Sequence, residues 1–155
     1  MTMNLDEFLQ SGIDHARSIL IGKPGAELMP AFVVQFKDRP PAIIGAPWAD
    51  DSEKYATIEA VRLTLKAFRP SVISYLFWSE AWMAHEDTDH PIGLQPRDRM
   101  DRQEVVLVNA FNLDGGKMVT LEIMRDDKGV VTELKSLGAT YEQFEGRLHN
   151  LLKDD

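Results

Sequence analysis

Three features of the chain predict an α+β fold, with one mixed, mainly antiparallel sheet of five to six strands packed by two to three helices. Residues 71–84 form a β-rich apolar run with no wet face. Helical periodicity is confined to three separated segments, and strand-like stretches divided by turn signals fill most of the second half. At 155 residues, with no repeat or linker-like tract, the chain reads as one domain over 1–155.

The organising stretch is Ser71–Ala84, reading Ser-Val-Ile-Ser-Tyr-Leu-Phe-Trp-Ser-Glu-Ala-Trp-Met-Ala. It is too short to cross a bilayer and carries the β-branched and aromatic residues that suit a pleated surface. Strand alternation puts Val72, Ser74, Leu76, Trp78, Glu80 and Trp82 on one face, and Ile73, Tyr75, Phe77, Ser79, Ala81 and Met83 on the other. Both faces are largely apolar, which predicts a central strand packed by helices on at least one face. Glu80 is the exception, a carboxylate between two indoles. Burying it unpaired costs several kcal/mol, so it must be ion-paired, protonated or at the rim of the sheet.

The remaining elements follow in order. Asn4 with Glu7 fits a capping box, and Leu5, Phe8, Leu9, Ile13, Ala16 and Leu20 recur at helical spacing, predicting a first helix over 4–21. Gly22-Lys23-Pro24-Gly25 ends it. Residues 30–36 and 41–45 read as a hairpin, and a helix capped by Asp50 or Asp51 runs to Phe68 with Tyr55, Ile58, Val61, Leu65 and Phe68 inward. Arg69-Pro70 hands the chain to the central strand, giving a strand–helix–strand crossover. After a long polar connection, 85–101, strands are expected over 103–111, 117–124 and 130–134, separated by Gly- and Asp-rich turns. Thr140, with Gln143 in the box position, predicts a last helix that turns Tyr141, Phe144, Leu148 and Leu151 inward.

Composition narrows the function classes. The net charge is −8 and the pI about 5.0, which argues against binding the phosphate backbone of nucleic acids. With no Cys there is no thiol nucleophile or thiolate metal site. The first residues lack the basic and apolar regions of a secretory signal and no later run is long enough to span a membrane, so a cytoplasmic address and no membrane partner are expected. Walker, dinucleotide-binding, Gly-x-Ser-x-Gly and His-Glu-x-x-His patterns are all missing, and no cofactor is implied.

Chemistry, if any, concentrates around the 85–101 connection. His85, Asp89 and His90 offer nitrogen and oxygen donors to a metal, on a spacing that matches no established ligand signature. His90-Pro91 followed by Asp98 and Asp101 echoes the tail of the JAMM/MPN isopeptidase zinc signature. Thr88, where the first His belongs, and Asp98, where Ser belongs, break that match. The candidate catalytic set is Glu80, Arg99, Asp101 and Arg102, with Trp78 and Trp82 walling a ligand pocket beneath the connection. His15 and His149 fall on helical segments and are expected to face solvent.

Ser79-Glu80-Ala81-Trp82-Met83 and Asp101-Arg102-x-Glu104-Val105-Val106 resemble a pattern in small uncharacterised phage and bacterial proteins. The resemblance covers about the middle third of the chain and implies no activity. The expectation is a non-catalytic interaction or accessory protein that forms a homodimer or binds another protein. The alternative is a small hydrolase or an anion- or ligand-binding domain using the Glu80 pocket.

Overall fold

The computed structural model describes residues 3–46, 51–83 and 103–142, the side chains of 51, 82, 83 and 139–142 excepted. Two helices and six strands follow one another in the order α1 (Leu5–Leu20), β1 (Ala31–Phe36), β2 (Ala42–Gly45), α2 (Asp51–Ala67), β3 (Val72–Met83), β4 (Gln103–Asn112), β5 (Gly115–Arg125) and β6 (Val131–Glu142). The strands form one sheet in the order β2-β1-β3-β4-β5-β6, so the run after Pro70 lies in its interior as expected. Every neighbouring pair is antiparallel. Since β2 and β3 both oppose β1, they run in the same direction, and α2 crosses over β1 to join them. No described helix is long and apolar enough to cross a membrane.

The helices cover opposite faces. α1 opens on the expected capping box: Asn4 Oδ1 accepts the Glu7 N–H at 2.8 Å, and Glu7 Oε1 accepts the Asn4 N–H at 3.1 Å. Its buried stripe of Phe8, Leu9, Gly12, Ile13, Ala16 and Leu20 packs on Leu76, Trp78, Val106, Val108, Ala110, Val119 and Leu121. Gly12 is required by this contact: a Cβ there would stand 2.9 Å from Val108 Cγ1 and 3.0 Å from both Leu76 Cδ atoms. On the other face Ile58, Val61 and Leu65 of α2 meet Phe32, Val34, Tyr75, Phe77 and Phe111. Both faces of β3 are therefore dry, which accounts for its lack of polar alternation.

Four expectations need correction. Thr140 and Tyr141 start no helix: they continue β6, pairing with Met118 and Lys117, and residues 143–155 lie outside the described residues. The pleat of β5 sets this outcome, because its ladder runs far enough to hold β6 extended through Glu142. Tyr55 and Phe68 are exposed, not inward. Tyr55 lies at the rim of a narrow helical stripe, where a phenol is at ease half wet. Phe68 meets Phe36 edge-on at 6.2 Å, and the Arg39 guanidinium stands 5.1 Å from both rings. Val72 joins the α2 face, because a register shift opposite Gln35–Phe36 leaves Ile73 without a partner on β1. His15 is half-buried, its ring 4.5 Å from that of Trp78.

Candidate functional site: an acidic cavity and an open edge

Unequal strand lengths create the cavity. β1 begins at Ala31, opposite Trp78, whereas β3 continues to Met83. Beyond Trp78 the β1 side of β3 is filled by the α1–β1 connector instead. Trp78 Nε1 donates to the Met29 carbonyl at 3.0 Å, and the Leu28 N–H donates to Glu80 Oε2 at a long 3.4 Å. Glu80 is thus a rim residue of a central strand, half-buried, with no ion pair to a described residue.

Around it lies a cavity of about 340 Å³, lined among the described residues by Gly25, Ala26, Glu27, Glu80, Ala81, Glu104, Ile123 and Arg125. Arg125 is already engaged: its Nε meets Glu104 Oε2 at 2.8 Å and its Nη1 donates to the Gly129 carbonyl at 2.7 Å. Burial holds the Glu80 carboxyl above the ordinary carboxylate range. The neighbouring charges of Glu27 and Glu104 push the same way, while the Leu28 N–H and Arg125 oppose them. With three carboxylates against one committed guanidinium, these walls suit a cationic or neutral group better than an anion.

The expected site residues divide into those the cavity gathers and those beyond description. Glu80 lines it; Trp78 is buried behind it, between the connector and α1. Trp82 lies in β3 opposite Glu104, its side chain not described. Arg99, Asp101, Arg102, His85, Asp89 and His90 lie outside the described residues, as does His149. Among the described residues no group of three or more His, Asp or Glu side chains is placed to hold a metal ion. Glu27 and Arg125 were not singled out from sequence. Glu27 sits in an aperiodic connector and gives no signal. Arg125 was recoverable, because the two-residue turn at Leu113-Asp114 fixes the β4–β5 register and brings Arg125 diagonally beside Glu104.

The second feature is β6, the outer strand on the meander side. Among the described residues its far edge is met near its start, where Ile21 bridges Val131 and the Gly22 N–H donates to the Val131 carbonyl at 2.8 Å, and the Leu134 carbonyl accepts from Arg17 Nη2 at a long 3.4 Å. Thr132, Glu133, Lys135, Ser136, Leu137 and Gly138 are exposed, and Leu134 is the buried residue among them. No family model matches the chain, and neither a curated protein nor a solved structure does.

Proposed function

We propose that the chain is a non-catalytic interaction domain, an accessory protein that acts by associating with a second copy of itself. The observation that supports this is the twelve-residue β6, the outer strand of the sheet, whose far edge pairs among the described residues with no strand beyond the bridge at Val131. Such an edge presents unpaired N–H and C=O groups to another strand, and a two-fold pair is the simplest closed outcome. A phage or bacterial origin and a cytoplasmic address remain part of this reading, resting on the Ser79-Glu80-Ala81-Trp82 pattern and the composition. Sedimentation equilibrium at high micromolar concentration tests it: a dimer mass is expected, and a strict monomer refutes self-association.

A second reading, a small ligand-binding domain or hydrolase, is favoured by one observation, the half-buried Glu80 carboxyl in the acidic cavity. Its described walls favour a ligand bearing an ammonium or guanidinium group, with Ala26, Ala81 and Ile123 against the apolar part. Titration with butylamine or butylguanidine, followed by amide shifts of Leu28 and Glu80, is expected to saturate. Unmoved resonances at millimolar ligand would remove it.

A further inference from the structure

We infer that Asp114-Gly115, at the tip of the β4–β5 hairpin, is a site of spontaneous aspartate-to-isoaspartate conversion, and that the Asn112 side chain holds it closed in the folded chain. The inference stands apart from the two readings proposed above. Asp114-Gly115 is the one Asp-Gly step in the sequence, and there is no Asn-Gly step. Glycine has no Cβ to hinder a side-chain carbon approaching its nitrogen, so a carboxyl that precedes it reacts more readily than one before any other residue. Both reacting groups are accessible. Leu113 and Asp114 are exposed, and the Asp114 carboxyl makes no hydrogen bond or ion pair with a described residue. Apart from the chain neighbours of Gly115, nothing stands within 4 Å of the place a Cβ there would occupy.

The conversion needs only water. The Gly115 nitrogen bonds to Asp114 Cγ as the C–OH bond of the carboxyl breaks, and the nitrogen's proton leaves with that hydroxyl as water. Water then opens the five-membered imide. Attack at Cγ restores aspartate, whereas attack at the main-chain carbonyl routes the chain through Cβ and Cγ and frees an α-carboxylate. The second product has the same mass and one more methylene in its main chain. Gly116 lies directly beneath the buried Phe111 ring, so the added length stays in the turn and breaks the pairing of Asn112 with Gly115.

Asn112 opposes the first step. Its Oδ1 accepts the Asp114 N–H at 2.9 Å and the Gly115 N–H at 3.0 Å, a local turn that Asn side chains form with the backbone after them. The attacking nitrogen must shed its proton and turn toward Cγ. While its N–H points at Asn112 Oδ1 it does neither, so attack waits for the turn to open.

Ageing the full chain in weakly acidic buffer tests both parts, with peptide mapping by electron-transfer fragmentation to distinguish the two linkages. Wild type unfolded in guanidinium is expected to accumulate isoaspartate at 114, and folded wild type to do so at least about ten-fold more slowly. Asn112→Ala removes the acceptor and is expected to speed the folded-state conversion roughly five-fold. Asn112→Asp keeps an acceptor oxygen and is expected to stay near wild type. Circular dichroism of each variant confirms that it is folded. An unfolded chain that forms no isoaspartate at 114 overturns the site. Asn112→Ala converting no faster than wild type, or Asn112→Asp converting as fast as Asn112→Ala, overturns the guarding role and keeps the site.

Discussion

Replacing Gly12 by Ala sets two known effects against each other, and the structure decides the sign. In a helix interior the change from Gly to Ala contributes about 1 kcal/mol of stability. Here the new methyl would lie 2.9 Å from Val108 Cγ1 and 3.0 Å from both Leu76 Cδ atoms, where carbon atoms pack best near ~3.5–4.0 Å. Val108 and Leu76 are both fully buried in the two central strands, so neither side chain has open space to retreat into. Either α1 lifts from the sheet by roughly half an ångström or more, or the two side chains leave their rotamers. Such overpacking costs about 1–3 kcal/mol. The expected net is a loss of about 1 kcal/mol, read as a lower urea midpoint at unchanged slope. A Val108→Ala background removes the shortest of the three contacts and opens space into which Leu76 can shift, so Gly12→Ala is expected to cost less there than in wild type. A Gly12→Ala protein more stable than wild type, or the same effect in both backgrounds, refutes the close approach of α1 to the sheet.

Other outcomes are expected from single contacts. Glu80→Gln keeps an acceptor for the Leu28 N–H and removes a charge. Because the folded-state affinity of Glu80 for its proton is raised, protonation favours the fold, and that stability is lost as pH rises through the folded-state value. Gln is therefore expected to stabilise at neutral pH, with the gain vanishing below the ordinary carboxylate range; a constant difference in pH-dependent melting would contradict this. Trp78→Phe loses the bond to the Met29 carbonyl and the ring contact with His15, costing about 2 kcal/mol in chemical denaturation. Asn4→Ala removes the side-chain half of the capping box, the acceptor of the Glu7 N–H, and is expected to cost about 1 kcal/mol, with amide exchange rising in the first turn of α1.

Where local chemistry sets the outcome, the sequence was enough. The capping box at Asn4, the apolar run after Pro70 and the turn signal over residues 112–116 each specify an element from neighbouring residues, and the fold class follows from them; the structure narrows that turn to Leu113-Asp114. Where two signals compete, it was not. Thr140 with Gln143 has the form of a helix start, yet Thr140, Tyr141 and Glu142 extend the ladder with β5, opposite Met118, Lys117 and Gly116, and their backbone is paired there instead. Tyr55 has the right spacing and the wrong angle, since three residues of α2 suffice to cover the sheet beneath it. In the cavity, the placement of Glu80 at a rim was one of the three alternatives its chemistry demanded. Glu27 was illegible because an aperiodic connector brings it there, and no pattern in sequence encodes where such a segment lies.

That connector also shows how the two candidate surfaces are joined, and whether they can act on each other. It is tied to β6 at one end, through the Gly22 N–H and the Val131 carbonyl, and to β3 at the other, through Leu28–Glu80 and Met29–Trp78. Between the ties stand Pro24 and Gly25, the latter at φ +70°, a conformation that glycine adopts without strain. They are the central residues of a turn closed by the Ala26 N–H donating to the Lys23 carbonyl at 3.2 Å, a local unit that lies between the two anchors, so loosening one is expected to leave the other closed. Glu80→Ala removes the acceptor of the Leu28 N–H, and native-state hydrogen exchange is expected to speed at Leu28 by about ten-fold, while Gly22, held by a 2.8 Å bond, keeps its protection. Equal acceleration at both amides would mean that the connector opens as one unit. In that case anything entering the cavity would also pull at the start of β6, and the edge could no longer be treated as independent of the acidic site.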